Sequence, residues 1–179
     1  ENVHSSPARF DMKKLEAING DKIRALTLDE FLKWTLPFLT KAGVISGSDE
    51  EVALVKKALP LIQERIVKLD ETPGLLKFLF VKEFAVDAEA APKIADAGSK
   101  DVLKRSIKEL EGLATWDHTS IEATLRASLI EDMGLKPKIA FTALRIATTG
   151  STISPPLFES MELLGQSTCI SRISAALSL

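Results

Sequence analysis

The sequence predicts an all-α fold of two consecutive helical bundle lobes, and three observations support this prediction. Residues with capping side chains recur just before apolar stretches. Within those stretches the apolar residues return at the three- and four-residue spacing of a helix. The connections are short, and no stretch of strand length alternates apolar and polar residues. This pattern is typical of helices packed on helices.

The first part of the chain predicts a short helix followed by a bundle. The expected helix starts are Asp11, Thr27 with Glu30, Ser48 with Glu51, Pro60, and Thr72-Pro73. The two pairs have the spacing of capping boxes, and proline is favoured in the first turn of a helix. Asn19-Gly20 is expected to end the first helix, because this pair is typical of helix ends.

The second part of the chain predicts a further bundle. Between Val81 and Asp96, alanine and alternating charges replace the large apolar residues, so we expect the lobes to be 27–82 and 83–179. The expected helix starts in the second lobe are Ser99, Thr119 with Glu122, Ser154-Pro155, and Ser167.

Composition limits the possible classes of function. The net charge is −2, with 45% apolar and 27% charged residues, which indicates a folded chain that is not a general polyanion binder. Cys169 is the single cysteine, and His4 and His118 lack metal-pair spacing, so we expect no disulfide and no metal site. No apolar run reaches the length of a membrane span, and nothing resembles a signal peptide. We expect no membrane contact, a cytoplasmic location and, because the chain begins at Glu1 rather than Met, a fragment.

Motifs of nucleotide-binding enzymes and hydrolases are absent from the sequence. Gly150-Ser151-Thr152 lacks the lysine and the second glycine of a phosphate-binding loop, and no HExxH or nucleophile-elbow pattern occurs. Carboxylates stand where helix caps and solvated helix faces place them, as in Asp49-Glu50-Glu51. We therefore expect no catalytic residue in this chain.

A stretch of small and hydroxyl residues, Thr148–Pro156, separates two apolar helical runs. No acidic residue occurs from Met133 to Phe158, and the loop follows Arg145 closely. Such a loop suits phosphates or unstacked bases, but composition alone favours a helix–loop–helix corner whose hydroxyls cap the second helix. We call residues 148–156 the hydroxyl loop.

Two arginines and two tryptophans leave alternatives open. Arg145 lies between apolar neighbours and must reach a carboxylate, a carbonyl or a ligand. Arg65 could form an ion pair with its neighbour Glu64 or with Asp70. Trp34 and Trp116 could stack on bases, although core packing is the favoured role for both.

Three stretches resemble the C-terminal half of bacterial glutamyl-tRNA synthetases. They are SPARFDMKKLEAINGDKIR (6–24), ALPLIQERIVKLDETPGLLKFLF (58–80) and LKPKIAFTALRIATTGSTISPPLFESMELLG (135–165). The third is the most specific, since it is similar to the family's LR-A-TG-S-PPLF-LLG pattern. Together the stretches extend the resemblance over essentially the whole chain.

The resemblance implies an anticodon-recognition module of a class I glutamate–tRNA ligase. Residues 1–26 then correspond to the end of a stem-contacting region, and both lobes bind the anticodon loop of glutamate tRNA. The family's catalytic domain, which joins glutamate to its tRNA with ATP and Mg²⁺, corresponds to a missing N-terminal part. No cofactor is expected in the chain itself, and we expect a monomer.

The resemblance also assigns site residues. Arg65 corresponds to the arginine that recognises the third anticodon base. Arg145, Ser154, Pro155 and Leu157 correspond to the region that receives the first two bases, with the Ser154 hydroxyl at the central uracil. The neighbours of this region are Thr149, Gly150 and Ser151.

Two alternatives come from other classes of protein. A helical scaffold for protein interactions would fit the all-α pattern, but the helix spacings show no fixed repeat period. A small helical enzyme would need a nucleophile or an acid–base pair, and the sequence offers neither.

Overall fold

The computed structural model describes residues 11–179. They form ten α-helices and no β-strand, which confirms the predicted all-α fold for this part of the chain. The helices are α1 (Met12–Arg24), α2 (Leu28–Lys41), α3 (Asp49–Ala58), α4 (Pro60–Gln63), α5 (Thr72–Leu76), α6 (Ala97–Glu111), α7 (His118–Leu125), α8 (Pro137–Thr149), α9 (Leu157–Leu164) and α10 (Gln166–Ala176). A π-helix (Arg126–Asp132) continues α7, and 3₁₀ turns occupy Leu69–Glu71, Lys77–Leu79 and Ala91–Lys93. None of the described helices combines the length and hydropathy needed to cross a membrane.

Both predicted capping boxes are present. The Glu30 carboxylate accepts from the Thr27 backbone N–H at 2.9 Å, and the Thr27 hydroxyl accepts from the Glu30 N–H at 3.3 Å. Ser48 and Glu51 repeat this arrangement at the start of α3. Each box satisfies backbone donors at a helix start that would otherwise lack partners.

Several helix limits differ from the prediction. The N-caps of α6 and α7 are Asp96 and Asp117 rather than Ser99 and Thr119. An aspartate caps as well as a hydroxyl residue does, and the serine three positions later donates its N–H to it. Likewise, α9 starts at Leu157, after both prolines, and α10 starts at Gln166.

The prediction that Asn19-Gly20 ends α1 is wrong, because tertiary contact overrides the local signal. The helix continues to Arg24, and Gly20 is buried inside it. A Cβ atom on Gly20 would lie 3.2 Å from Cγ1 of Val67, so glycine permits this close approach. The Asn19 side chain donates to the Val67 carbonyl.

Two hydrophobic cores form along the chain. The buried residues of the first are Ile23, Phe31, Leu39, Ile45, Val55, Ala58, Leu59, Ile62, Ile66 and Leu76. The second is built mainly from α6 to α10, and its largest fully buried side chains include Leu103, Leu110, Ile121, Leu125 and Leu129. The sequence passes from one core to the other between Phe80 and Val86. The limits 27–82 and 83–179 remain our proposed lobes.

The two cores meet along α9 and the segment that joins them. Leu163 of α9 packs against the first core, and α9 contacts α3. In the joining segment, the Asp87 N–H donates to the Gly150 carbonyl at 2.8 Å. The hydroxyl loop therefore lies where the two lobes come together.

The two tryptophans have different environments. Trp116 is half-buried against the second core and donates from Nε1 to the Met161 carbonyl at 3.1 Å, which confirms its packing role. The side chain of Trp34 is 55% exposed on α2, so the predicted core role is wrong for this residue.

Candidate nucleic-acid interface

The hydroxyl loop includes the last two residues of α8, and Gly150 ends the helix. Gly150 has a φ of 82° and donates its N–H to the Ile146 carbonyl at 2.9 Å, a left-handed helix end that favours glycine. A Cβ atom here would lie 2.9 Å from the Ala85 carbonyl oxygen. Conformation and space together require glycine, and the chain then returns to α9 at Leu157.

Arg145 projects from the last turns of α8 into this loop. Its Nη1 donates to the Ser154 hydroxyl and, at 2.8 Å, to the Pro155 carbonyl. The Ser154 hydroxyl in turn donates to the same carbonyl at 2.8 Å. The acceptors of Arg145 are thus a hydroxyl and a carbonyl, and no carboxylate among the described residues forms an ion pair with it.

Arg65 reaches the same loop from the first lobe. It lies in the turn after α4, which Gln63 anchors by donating to the carbonyls of Ile23 at 3.0 Å and Leu26 at 2.9 Å. Nη1 of Arg65 is 3.5 Å from the Ser154 carbonyl, a long contact that leaves its other N–H donors available. The ion pairs of residues 11–179 do not include Arg65, so the alternative with Glu64 or Asp70 is not found there.

The two guanidinium groups repel each other. Burial lowers the pKa of Arg145, the charge of Arg65 lowers it further, and Glu159 opposes the shift. Arginine nevertheless keeps its proton at neutral pH, because its ordinary pKa lies far above neutrality. Neither arginine is in an ion pair among residues 11–179, and two such positive charges beside a loop without acids favour a ligand that carries acceptors or negative charge.

The other predicted site residues line the loop at different depths. The Thr149 hydroxyl donates to the Arg145 carbonyl at 2.8 Å, which holds the end of α8 together. Ser151 is half-buried, Pro155 is buried, and Leu157 is 4% exposed within the second core. The structure brings Arg65, Arg145, Ser154 and Pro155 into contact, whereas Leu157 faces the core. Contact of any of them with a base stays a prediction.

Two residues of this region were not predicted as site residues. Ile153, at the tip of the hydroxyl loop, is 74% exposed and offers an apolar surface. Arg172 is 7% exposed and donates to two backbone carbonyls beneath the loop, and its guanidinium lies over the ring of Phe84. A signal for Arg172 was present, since it lies three residues after Cys169 and four before Ala176, on the buried stripe of α10.

Cys169 is a structural thiol. Burial raises its pKa to about 12, and its sulfur donates to the Met161 carbonyl at 3.5 Å. A thiol with a raised pKa is a poor nucleophile at neutral pH.

Comparison with known proteins identifies the family. The profile of the anticodon binding domain matches residues 28–177. The chain belongs to the anticodon binding domain family. The match includes every candidate site residue, from Arg65 to Leu157.

Curated relatives of this anticodon binding domain carry the name glutamate–tRNA ligase. The protein from Saccharopolyspora erythraea is 43% identical over 178 residues, which is 98% of this chain and 35% of the relative. The one from Leifsonia xyli subsp. xyli is 45% identical over 177 residues, 96% of this chain and 36% of the relative. The chain therefore spans about a third of the length of the relatives it matches.

Solved structures show the same fold. A crystal structure of a glutamate tRNA ligase from Elizabethkingia meningosepticum superposes with a TM-score of 0.77 at 22% identity, covering 98% of this chain and 34% of that one. The synthetase from Elizabethkingia anophelis gives a TM-score of 0.75 at 22% identity.

Proposed function

We propose that this chain is the anticodon-recognition part of a glutamate–tRNA ligase. The observation that carries the proposal is the convergence of Arg65 and Arg145, from separate lobes, on Ser154. Membership of the anticodon binding domain family and the names of the relatives support it. The remaining two thirds of such a ligase would hold ATP and Mg²⁺ and join glutamate to its tRNA. The complete enzyme is proposed to act as a monomer in the cytoplasm.

Arg65 is proposed to recognise the third anticodon base. Glutamate and glutamine tRNAs differ there, C against G. The Watson–Crick edge of cytosine presents the acceptors O2 and N3, whereas that of guanine presents the donors N1–H and N2–H. A guanidinium group has donors only, so it binds cytosine and opposes guanine. The exposed position of Arg65 and its free donors suit this role.

Arg145 and the hydroxyl loop are proposed to receive the first two bases. Ser154 is 6% exposed, and its hydroxyl is already bonded to Pro155 and Arg145. A hydroxyl rotates freely, so it can exchange the bond to the Pro155 carbonyl for one to the central uracil. The exposed Ile153 then offers an apolar surface beside an unstacked base.

The direct test measures binding of fluorescent RNA hairpins by anisotropy. One hairpin carries the anticodon loop of a glutamate tRNA, and the control has the same stem and loop size with the anticodon replaced. We expect the glutamate hairpin to bind more tightly at every salt concentration, because base contacts add to the shared phosphate contacts. Equal affinity for both, or binding of neither, would contradict the proposal.

A further inference from the structure

Arg172 is the most deeply placed cation near the proposed site. It lies in the middle of α10 and is 7% exposed. Its Nη1 donates to the Thr148 carbonyl at 2.8 Å, and its Nη2 donates to the Phe78 carbonyl at 2.9 Å. Its Cζ lies 4.1 Å from the centre of the Phe84 ring.

These three contacts belong to three different segments. Thr148 is in the last turn of α8, three residues after Arg145 and two residues before Gly150, where the chain leaves the helix. Phe78 lies in the 3₁₀ turn that closes the first lobe. Phe84 belongs to the joining segment, and its ring would be 3.4 Å from a Cβ atom on Gly150. One planar guanidinium group therefore connects both lobes and the base of the hydroxyl loop.

Packing alone does not explain an arginine at this position. No carboxylate within residues 11–179 pairs with Arg172, and burial lowers its pKa, so its charge is stabilised less than in water. An apolar side chain of similar volume would fill the space without this desolvation cost. What an apolar residue could not do is hold two carbonyl groups at a fixed separation.

We propose that Arg172 is a positioning residue for the anticodon site. By holding the Thr148 and Phe78 carbonyls together, it fixes the end of α8 against the first lobe. It thereby sets the spacing between Arg145 and Arg65, and with it the discrimination at the third anticodon base. This inference rests on the proposed function.

The first test needs no RNA. Arg172→Lys keeps the charge but cannot donate to both carbonyls in the same planar geometry. The Asp87 N–H, which bonds to the Gly150 carbonyl, should then exchange with deuterium on the order of tenfold faster. Amides in the centre of α6 should keep the exchange rates that they have in the wild-type protein. The matched control is Ile173→Ala, which removes a buried side chain of the same helix and neither of the two hydrogen bonds.

The second test measures the preference for the glutamate hairpin over one whose third anticodon base is G. Arg172→Lys should reduce the ratio of the two affinities by about threefold to tenfold. Ile173→Ala, compared at a temperature where both variants are equally far below their Tm, should keep the wild-type ratio. Phe84→Leu retains both hydrogen bonds and should narrow the ratio less, and it carries the test if Arg172→Lys does not fold.

The outcomes separate the two proposals. Unchanged exchange at Asp87, or a ratio that changes as much in Ile173→Ala as in Arg172→Lys, would overturn the positioning role. A wild-type protein without any preference between the hairpins would overturn the proposed function. In that case faster exchange at Asp87 would still show that Arg172 holds the loop.

Discussion

Arginine has three different environments around the hydroxyl loop. Arg65 is exposed and barely bonded, Arg145 is half-buried with two acceptors, and Arg172 is buried with two carbonyls and an aromatic ring. The energetic cost of placing a cation rises in that order, and so does the number of contacts that hold it, when the aromatic ring beside Arg172 is counted. The more exposed the group, the more of its donors remain for a ligand. We therefore assign base recognition to Arg65 and Arg145 and positioning to Arg172.

Replacing Arg145 with alanine should weaken RNA binding while leaving the fold intact. The change removes a donor beside the loop, and we expect about a tenfold loss of affinity for the glutamate hairpin. Loss of its hydrogen bonds should lower the free energy of unfolding by only ~1 kcal/mol, since the repulsion from Arg65 also disappears. Anisotropy titration and urea unfolding measure the two effects.

The matched control for this change is Arg105→Ala. Arg105 pairs with Glu109 and Asp132 on the second lobe. Asp132 precedes α8 and the loop follows it, so the 13-residue helix separates the two places by about 20 Å. The control should keep wild-type affinity. Equal losses in both variants would point to general electrostatic attraction, and unfolding of Arg145→Ala would make Arg145 a structural residue.

At the scale of the helix and its ends, the loop depends on how α8 stops. The left-handed glycine and the bond from Asp87 to the Gly150 carbonyl fix the direction in which the chain leaves the helix. The Thr148 and Thr149 hydroxyls donate back to the carbonyls of Leu144 and Arg145, both within the last turns. The loop is therefore held by its base rather than by its tip.

Two glycines allow strain and crowding to be separated. Gly150→Ala introduces both a left-handed alanine and a contact with the Ala85 carbonyl, whereas Gly134→Ala, at a φ of 66°, meets no atom within 4 Å. The strain common to both should cost about 1–2 kcal/mol. Gly150→Ala should lose about 1–3 kcal/mol more, because the crowded backbone must move. Urea unfolding of both variants measures the difference. Equal losses in the free energy of unfolding would show that the loop backbone moves to accommodate the Cβ atom without further cost.

The aspartate cap of α6 predicts a dependence of stability on pH. The hydroxyl and the backbone N–H of Ser99 donate to Asp96 and hold the pKa of its carboxyl below the usual value. A lowered folded-state pKa stabilises the fold above the unfolded pKa of ~3.9, and this contribution is lost as the pH falls through the folded value. Asp96→Asn keeps an acceptor at the cap without the titration.

We therefore expect wild-type protein to lose more stability on acidification than Asp96→Asn does. Asp101→Asn, an exposed position on the same helix, is the control and should follow the wild type. Urea unfolding midpoints of the wild type and the two variants, measured at a series of acidic pH values, give this comparison. If Asp96→Asn loses as much stability as the wild type, the Asp96 carboxylate does not contribute through its titration.

Local signals and tertiary contacts differ in how far the sequence can predict them. The capping boxes of α2 and α3 could be predicted because both partners lie within four residues. The end of α1 could not, because Val67 decides it from far along the chain.

The candidate site shows the same division. Arg65 and the hydroxyl loop were assigned through resemblance, while the residues alone left a structural corner possible. The buried stripe of α10 indicates that Arg172 is buried, but its partners could not be predicted, because they are backbone carbonyls and a backbone carbonyl has no signature in the sequence.

At the scale of the whole molecule, the site depends on how two cores meet. Leu163 packs on the first core, Arg172 bonds to Phe78, and Arg65 reaches across to Ser154. A net charge of −2 is compatible with this function, because recognition of unstacked bases depends on directed donors more than on overall charge.

Limited proteolysis tests the proposed lobe limits. The segment from Val81 to Asp96 has no long helix and exposes Lys82 and Lys93. If the lobes fold separately, the first internal tryptic cut should fall there, since such segments open more readily than helices packed in a core. Mass spectrometry of the early fragments locates the cut. First cuts between Ile62 and Phe80 would show that the boundary is misplaced.

The central claim is that Arg65 distinguishes the third anticodon base, and Arg65→Gln tests it most directly. Glutamine offers a donor and an acceptor, so it can accommodate either C or G. The measurement compares the affinities of the chain for two RNA hairpins that differ only in the third anticodon base, C or G. Arg105→Gln is the charge-matched control. We predict that Arg65→Gln reduces the difference in binding free energy between the C and G hairpins by ~1–3 kcal/mol, mainly because the G hairpin binds more tightly. The control variant should keep the wild-type difference. An unchanged preference in Arg65→Gln would contradict the account.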